Sequence, residues 1–269
     1  MSPLLSVENL EIRTAGRALV SGASFAIAAG ERVGLIGESG SGKSLTALAV
    51  LGLLPETVRV SGSVRLDGRE VVGARDRDLV ALRGRSVAAV FQEPMTALDP
   101  LMRIGGQVGE VVRRRSLRDG MRLARAEVEA RVLELLQRVS LPEPERIARA
   151  YPHEISGGQR QRAAIAMALA CRPKLLIADE PTTALDVTTQ AEILGLLERL
   201  VRDEGMGLLF ISHDLPVVAA VAGRALVMRG GELIEQGPVG MLFDRPAHPY
   251  TQGLVAAARA FDDALEAAL

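Results

Sequence analysis

The chain has 269 residues, enough for one large domain or two small ones, and its 48% hydrophobic and 24% charged residues are typical of a globular protein. The formal net charge of −1 gives no general affinity for polyanions, so we expect no nucleic acid among its partners. The single cysteine, Cys171, excludes a disulfide within the chain and any cysteine-rich zinc or iron–sulfur site.

No apolar run approaches the roughly 18 residues that a membrane-spanning helix requires. The first residues, MSPLLSVENLEIR, lack the basic start and the apolar core of a signal peptide. We therefore expect a soluble protein, or one that touches a membrane only through a partner.

The first third of the chain is predicted to be rich in strands. The predicted strands are Leu4–Arg13, Ala23–Ile27, Arg32–Ile36 and Ser63–Leu66. A helix is predicted over Leu45–Leu54. Between the third strand and this helix lies GESGSGKS, Gly37–Ser44, which matches the phosphate-binding pattern G-x-x-x-x-G-K-[ST] in its expected strand–turn–helix context.

Each residue type in this phosphate loop suits a nucleoside triphosphate. Glycines allow a tight turn whose N–H groups point inward, and the helix that follows adds its positive end. Lys43 can reach the β- and γ-phosphates, and the Ser44 hydroxyl can bind Mg²⁺. The predicted nucleotide-binding residues are Gly37, Glu38, Ser39, Gly40, Ser41, Gly42, Lys43, Ser44 and Leu45.

Polar residues follow three further predicted buried strands. These strands are Val87–Phe91, Leu175–Ala178 and Leu208–Ile211. Gln92, the Asp179-Glu180 pair and His213 come at their ends, and ligands of open α/β sheets bind at the carboxyl ends of strands. Asp179 suits a Mg²⁺ shell and Glu180 a general base. The alternatives are a loop glutamine, a solvated carboxylate pair and a structural histidine.

Residues 100–140 have a helical pattern, with one apolar face that includes Val128, Val132 and Leu136. The basic run Arg113–Arg115 lies near several glutamates, which favours a solvated or partner-facing surface.

A second anion site is predicted in YPHEISGGQRQR, Tyr151–Arg162. Ser156 is a candidate N-cap, and Gly157 and Gly158 open a helix that runs to Cys171, for which we expect a buried structural thiol. Either two phosphates bind to one chain, or two copies of the chain share them.

The last third of the chain is predicted to contain a helix, a hairpin and an amphipathic end. The predicted elements are a helix over Thr189–Arg202 and strands over Arg224–Met228 and Glu232–Gln236, joined by Gly230-Gly231. The segment HPYTQGL, His248–Leu254, leads into an alanine-rich amphipathic tail.

With these motifs in order, the chain resembles the ATP-binding cassette (ABC) ATPases over essentially its whole length. The motifs are the phosphate loop (Gly37–Ser44), the glutamine loop (Gln92), the signature (Ser156, Gly157, Gly158, Gln159), the Walker B strand with its glutamate (Leu175–Glu180), the aspartate loop (Ala184–Asp186) and the switch histidine (His213). The resemblance implies an α/β P-loop NTPase fold with an antiparallel β subdomain and an inserted α-helical subdomain. We expect one ATPase domain over 1–247, with the helical subdomain at about 96–156, and a tail over 248–269.

Within that family the chain is similar to the peptide and nickel importers. The segments that carry this likeness are GESGSGKSLT (Gly37–Thr46), FQEPMTALDP (Phe91–Pro100), YPHEISGGQRQR (Tyr151–Arg162), ADEPTTALDVTTQ (Ala178–Gln190) and HPYTQGL (His248–Leu254). The resemblance implies an ATP- and Mg²⁺-dependent ATPase subunit of a binding-protein-dependent importer, for peptides or alternatively for nickel or a metal chelate.

The resemblance also implies partners and roles. Two cassettes would pair head to tail, with Ser156, Gly157, Gly158, Gln159 and Asp186 contributing to the nucleotide sites of the pair. Catalytic roles would fall to Glu180 as base, His213 at the γ-phosphate and Gln92 as Mg²⁺ sensor, and the metal ligands would be Ser44, Gln92 and Asp179. Two transmembrane permeases and an extracytoplasmic solute-binding protein would complete an assembly at the cytoplasmic face of the inner or plasma membrane.

Three features depart from the family pattern. Ile155 replaces the leucine that precedes the signature serine. The segment Arg13–Ala18 has no aromatic residue to stack on adenine, which leaves Thr14 or Arg17 to contact the base loosely. The cysteine cluster of many relatives' C-termini is also missing, so we expect no iron–sulfur cluster.

Two other functions are less consistent with the sequence. A soluble ABC ATPase of DNA repair or translation usually carries zinc cysteines, a long coiled-coil insert or two cassettes in one chain. A small-molecule kinase would not account for SGGQ or for the strand that ends at His213.

Overall fold

The computed structural model describes residues 2–93, 97–183 and 185–268, with side chains described to residue 260. The chain forms two compact units. The first unit comprises Met1–Val80 with Gly205–Leu269, and the second comprises Ala81–Glu204.

The first unit contains strands from both ends of the chain. Its strands are β1 (Leu5–Thr14), β2 (Arg17–Ile27), β3 (Arg32–Ile36), β4 (Arg59–Leu66), β5 (Arg69–Glu70), β8 (Gly207–Ser212), β9 (Arg224–Arg229) and β10 (Glu232–Pro238). Its helices are α1 (Lys43–Leu51), α2 (Asp76–Leu79), α8 (Leu215–Val221), α9 (Val239–Asp244) and α10 (Pro249–Ala268).

The second unit is mainly helical. Its strands are β6 (Val87–Val90) and β7 (Leu175–Asp179). Its helices are α3 (Ile104–Arg118), α4 (Arg125–Arg138), α5 (Pro144–Arg149), a 3₁₀ turn (Pro152–Glu154), α6 (Gly157–Ala170) and α7 (Val187–Glu204).

An antiparallel sheet in the order β2-β1-β4-β5 forms one layer of the first unit. The alternation predicted for the first strand is confirmed, because Leu5, Val7, Leu10 and Ile12 of β1 are buried. Strand β2 is longer than its predicted Ala23–Ile27, since its first residues also pair with β1.

The second layer of the first unit contains strands in the order β10-β9-β3-β8, of which β9, β3 and β8 are parallel and β3 leads into the phosphate loop. Strand β3 pairs in parallel with both β8 and β9, and its last residue, Ile36, lies opposite Ser212. The predicted hairpin is confirmed as the antiparallel pair β9–β10. All residues of β8 are buried, as expected for a strand covered on both faces.

Helix α1 differs from its predicted range of Leu45–Leu54 at both ends. It begins at Lys43, inside the phosphate loop, because the Thr46 amide already donates to the Gly42 carbonyl at 2.9 Å. It ends at Leu51, where Gly52 adopts a left-handed conformation with φ of 61° and caps the helix.

In the second unit, β6 and β7 pair in parallel, with Val90 opposite Ala178. The predicted apolar face of the helical region is confirmed, because Val128, Val132 and Leu136 of α4 are buried. Helix α6 is fixed by Arg162, which is only 8% exposed and donates to the Val139 carbonyl at 2.9 Å and to Glu192 at 2.8 Å.

The run Arg113–Arg115 was expected to form a solvated or partner-facing surface, and Arg113 and Arg114 are exposed whereas Arg115 is half-buried. Arg113 and Arg114 pair with Glu110, at 3.0 and 2.8 Å, on an exposed face of α3.

Cys171 was expected to be a buried structural thiol; it caps the end of α6 and is half-buried. Burial nevertheless raises the pKa of its thiol, against the opposing effect of Arg115 and Arg118. Among the residues that the structure describes, no helix is both long and apolar enough to cross a bilayer.

Gly34 sets how closely α8 approaches β3. A Cβ atom at this position would lie 2.1 Å from Cγ1 of Val218. We expect Gly34→Ala to lower the free energy of unfolding by about 1–3 kcal/mol, because the packed helix has to move. Urea denaturation measures the change.

Gly237→Ala is the matched control, since a Cβ atom there meets nothing within 4 Å. Equal stability of the Gly34 and Gly237 variants would contradict the packing constraint.

Candidate functional site

The phosphate loop follows β3 directly, and two of its glycines adopt conformations that other residues rarely adopt. Gly40 and Gly42 have φ of +78° and +104°. Gly37 is required for space, since a Cβ atom there would lie 2.1 Å from the Met228 carbonyl oxygen at the end of β9. The glycine spacing of the motif therefore has a separate physical reason at each position.

Lys43 lies in the curve of the loop. Its side chain is 5% exposed, and its Nζ atom donates to the carbonyls of Gly37 at 2.7 Å and Glu38 at 2.9 Å. The neighbouring Ser44 is exposed at the first turn of α1, whereas Leu45 is half-buried. The loop thus presents an ammonium group, an exposed hydroxyl and a helix N-terminus close together, which is the chemistry that a phosphate chain requires.

Two contacts that the sequence did not predict hold the loop from distant parts of the chain. The Gly231 amide donates to the Ser41 carbonyl at 3.1 Å. The Glu38 amide donates to the Tyr250 hydroxyl at 3.0 Å. The sequence predicted a turn at Gly230-Gly231 and showed that HPYTQGL is similar to a segment of the importers. Neither pattern indicates a contact with the phosphate loop.

The residues expected near the base lie on the β1–β2 hairpin. Thr14 and Arg17 flank its two-residue turn, in which Ala15 and Gly16 both have positive φ. Further along β2, the Leu19 carbonyl oxygen would lie 3.1 Å from a Cβ atom at Gly42. The start of β2 therefore borders the phosphate loop.

His213 lies at the same end of the sheet as the phosphate loop. It follows β8, is exposed, and precedes Asp214, which caps α8 by accepting from the Val217 amide. Because β3 and β8 are parallel, with Ile36 opposite Ser212, the first unit brings His213 and the loop together as the sequence predicted.

Gln92 and Asp179 come together in the second unit for the same reason. Both follow or end parallel neighbouring strands, β6 and β7. Gln92 is exposed, and Asp179 is only 6% exposed. Pro94, Met95 and Thr96 follow Gln92 in the segment FQEPMTALDP, and they lie outside the described residues.

Glu180 leaves the strand in a strained conformation. Its φ is +47°, and its carboxylate accepts a hydrogen bond from the Thr183 hydroxyl at 3.0 Å. The sequence did not single out Thr183. A carboxylate held by a hydroxyl donor at a strand end has the geometry of an oriented base.

The predicted N-cap at Ser156 is confirmed. Its hydroxyl oxygen accepts from the Gln159 amide at 3.3 Å, and the Gln159 side chain accepts from the Ser156 amide at 3.1 Å. This reciprocal capping box gives α6 an exposed serine at the positive end of its dipole.

The second unit also brings the signature and the aspartate loop together. Thr189 donates to the Asp186 carboxylate through its hydroxyl at 2.7 Å and its amide at 2.9 Å. These bonds hold the pKa of Asp186 below its usual value. A Cβ atom at Gly158 would lie 2.5 Å from Cγ2 of Thr189, and one at Gly157 would lie 3.5 Å from Leu185. Ala184, the first residue of the predicted aspartate loop, lies outside the described residues.

The candidate metal ligands fit Mg²⁺ by their chemistry. Ser44, Gln92 and Asp179 offer a hydroxyl, an amide oxygen and a carboxylate, the hard oxygen donors that Mg²⁺ prefers. Within the described ranges, no group of three or more histidine, cysteine, aspartate or glutamate residues forms a metal cage.

A groove of about 780 Å³ opens among α3, α4 and α5 in the second unit. Its lining includes apolar residues such as Val128 and Val132 and several charged residues. The charged residues are Arg103, Arg113, Arg125, Glu129, Glu145 and Arg149. Four arginines and two glutamates therefore line the groove together with apolar residues.

Residues 20–183 match the family described as "ABC transporter". A protein of Agrobacterium fabrum, named a peptidoglycan transport ATP-binding protein, is 49% identical over 261 residues, which cover 95% of this chain and 47% of that protein. A protein of Brucella ovis, named a putative peptide import ATP-binding protein, is 46% identical over 275 residues, covering 98% of this chain and 80% of that protein. The chain thus spans about half the length of the Agrobacterium relative.

Among solved structures, the chain is similar to a dimeric ATP-binding cassette described as being in a post-hydrolysis state and bound to ADP and Pi. The TM-score is 0.76 at 29% sequence identity, over 87% of this chain and 98% of that chain. The predicted ABC ATPase fold class is therefore confirmed.

The contact between Gly158 and Thr189 is testable with a double-mutant cycle. We expect Gly158→Ala to destabilise the protein by about 1–3 kcal/mol through overpacking. Thr189→Ser removes the methyl group in question and keeps the hydroxyl that binds Asp186. In the double variant we expect at least about 0.5 kcal/mol of the loss to be recovered, as measured by urea denaturation.

Thr188→Ser is the control, because Thr188 is the exposed neighbour on the same helix turn. Strictly additive effects of Gly158→Ala and Thr189→Ser would contradict the contact.

Proposed function

Because this chain belongs to the ABC transporter family, we propose that it is the ATP-hydrolysing subunit of a peptide importer. One observation carries the proposal: a single chain contains two sites suited to phosphate. In the first, Lys43 lies inside the phosphate loop, and in the second, Ser156 caps a helix that begins with two glycines. The names of the Agrobacterium and Brucella relatives support transport of peptides, or of peptide-containing material, over the nickel alternative.

The phosphate loop is the proposed ATP site. Its backbone amides and the N-terminus of α1 would hold the phosphate oxygens, and the Lys43 ammonium would neutralise their charge. Lys43 already hydrogen-bonds inside the loop, so little side-chain reorganisation is required when ATP binds. Thr14 or Arg17, beside the loop on the hairpin turn, would contact the base.

Mg²⁺ is the proposed cofactor, with Ser44, Gln92 and Asp179 as its protein ligands. When bound, it would neutralise charge on the β- and γ-phosphate oxygens.

Glu180 is the proposed general base. Its carboxylate would accept a proton from the water that attacks the γ-phosphate, while the Thr183 hydroxyl keeps that carboxylate oriented. His213, at the end of the strand beside the phosphate loop, would donate a hydrogen bond to the γ-phosphate.

A second cassette would complete each site. In this arrangement the exposed Ser156 and the N-terminus of α6 meet the γ-phosphate held by the partner chain's phosphate loop. Gly157, Gly158, Gln159 and Asp186 would line the same interface, and Thr189 would keep Asp186 in place. The dimeric cassette to which this chain is similar supports the pairing.

The groove among α3, α4 and α5 is the proposed docking site for a permease. Its apolar lining residues suit one face of a short cytoplasmic helix, and its four arginines suit carboxylates on that helix. The complete assembly would contain two permeases and an extracytoplasmic solute-binding protein, and it would hold this chain at the cytoplasmic face of the membrane.

Sharing of the site is tested with two inactive variants. We expect Lys43→Ala to abolish ATP binding, because the charge that neutralises the phosphates is lost. We expect Ser156→Arg to bind ATP but not hydrolyse it, because Ser156 acts on the partner's nucleotide. Equimolar mixing should restore part of the ATPase activity, since a mixed pair has one intact site.

The readouts are equilibrium ATP binding and phosphate release. A Ser156→Arg variant that folds but does not bind ATP would rule out the shared site. A mixture that stays inactive would assign the second cassette to a different chain.

Peptide import is tested by reconstitution with the permeases and the binding protein in vesicles. We expect oligopeptides, and not nickel chelates, to raise the ATPase rate, because the loaded binding protein favours the closed pair of cassettes. Glu180→Gln is the control that should bind ATP, accumulate the ATP-bound pair and show no peptide-stimulated turnover. If only the nickel chelate raised the ATPase rate, the chelate and not a peptide would be the transported solute.

A further inference from the structure

The segment HPYTQGL has no role in the function proposed above, yet one of its side chains touches the phosphate loop. We infer that Tyr250 is a positioning residue, through which the first turn of α10 fixes the start of the loop in its phosphate-binding shape. The inference rests on the proposed binding of ATP to that loop.

The contact is a hydrogen bond between residues 212 positions apart. The backbone N–H of Glu38 donates to the hydroxyl oxygen of Tyr250 at 3.0 Å. The carbonyls of Gly37 and Glu38 accept from Lys43 at 2.7 and 2.9 Å. Lys43 therefore holds the first turn of the loop through the carbonyls of Gly37 and Glu38, and Tyr250 holds it through the amide of Glu38.

Tyr250 is itself held by the end of β9. The guanidinium of Arg229 lies 4.9 Å from the centre of the Tyr250 ring, a cation–π contact. The preceding residue, Met228, has the carbonyl oxygen that lies against Gly37. One strand end thus supports the loop directly and also supports the ring that binds it.

The start of α10 is anchored independently of the loop. The Glu235 carboxylate of β10 accepts from the amides of Ala247 at 2.8 Å and His248 at 3.0 Å. The Tyr250 amide donates to Nδ1 of His248 at 3.1 Å. Burial acts to raise the pKa of Glu235, but the neighbouring Thr251 side chain and the hydrogen bonds from the Ala247 and His248 amides outweigh it and hold that pKa below its usual value. Glu235 is therefore a charged acceptor at neutral pH.

These contacts define what Tyr250 contributes. A loop that is already ordered loses less conformational freedom when phosphate binds, so its affinity is higher. The hydroxyl touches the backbone of the loop and not the reacting atoms. Its loss is therefore expected to weaken binding of substrate and transition state equally, which raises KM and leaves kcat nearly unchanged.

The test compares the two tyrosines of the full chain. Tyr250→Phe removes the hydroxyl and keeps the ring on Arg229, and we expect it to weaken ATP binding about 2- to 10-fold, the value of one neutral hydrogen bond. Tyr151→Phe is the matched control. The Tyr151 ring stacks with His153 and Arg103 in the second unit, and we expect that variant to bind ATP as the wild type does.

A spectroscopic readout separates positioning from a general loss of stability. The chain has two tyrosines and no tryptophan, so 3-fluorotyrosine labelling should give two ¹⁹F NMR signals, which the two Phe variants assign. We expect the Tyr250 signal of the wild type to shift when Mg-ATP is added, and to stay unchanged in Lys43→Ala, which lacks the proposed ATP contact.

The possible outcomes are distinct. Equal ATP affinity of Tyr250→Phe and wild type, or a Tyr250 signal that stays fixed while the wild type binds ATP, overturns the inference alone. A wild-type chain that binds no ATP overturns the proposed function and the inference with it. A lower kcat with an unchanged KM in Tyr250→Phe would also contradict a positioning role.

Discussion

The buried ammonium of Lys43 is the constraint on which the first unit depends. A charged group that is 5% exposed is strongly unfavourable unless polar atoms surround it, and here the carbonyls of Gly37 and Glu38 turn toward it. Further along the loop, the chain turns through left-handed positions at Gly40 and Gly42, which glycine adopts without strain. The carbonyls at the start of the loop thus stabilise the cation, and the cation is the group that can neutralise a polyanionic ligand.

The second unit meets a different constraint, which is the close approach of two helix starts. The N-terminus of α6 needs caps for its free amides, and Ser156 and Gln159 supply them to each other. Gly158 lies so close to Thr189 that a Cβ atom at Gly158 would come within 2.5 Å of the Thr189 methyl carbon. Thr189 in turn holds Asp186, so a packing contact of the signature and a hydrogen bond of the aspartate loop share one side chain.

The sequence predicted the parts of the site that depend on local chemistry. The phosphate loop follows its strand, Ser156 caps its helix, and His213 and Asp179 lie at the ends of parallel strands. Each of these depends on residue type and on a short-range periodicity that the sequence records directly. The predicted range of α1 began two residues late, because the helix begins at Lys43, inside the phosphate loop.

The sequence could not reveal the contacts between distant residues. The bonds from Gly231 to Ser41 and from Glu38 to Tyr250 join segments about 190 and 212 positions apart, and a single hydrogen bond leaves no periodic trace in the chain. Thr183 and Thr189 stand among other threonines in ADEPTTALDVTTQ, so only the fold distinguishes those that bind a carboxylate. The sequence therefore identified the candidate groups of the proposed site, and it missed the residues that hydrogen-bond to them.

Glu180 was predicted from the sequence, but the conformation that orients its carboxylate is visible only in the structure. In an extended strand, consecutive side chains point to opposite faces, so Asp179 and Glu180 would be separated if β7 continued. The chain instead turns at Glu180 with φ of +47°, a conformation that is unfavourable by about 1–2 kcal/mol for a residue with a Cβ atom. Thr183 bonds to the Glu180 carboxylate, and the Thr183 amide donates to the Glu180 carbonyl at 3.3 Å, which together stabilise the turn. Backbone strain of this kind persists where the surrounding structure holds it in place, and here it lies at the proposed base, where it ends the strand and redirects a carboxylate.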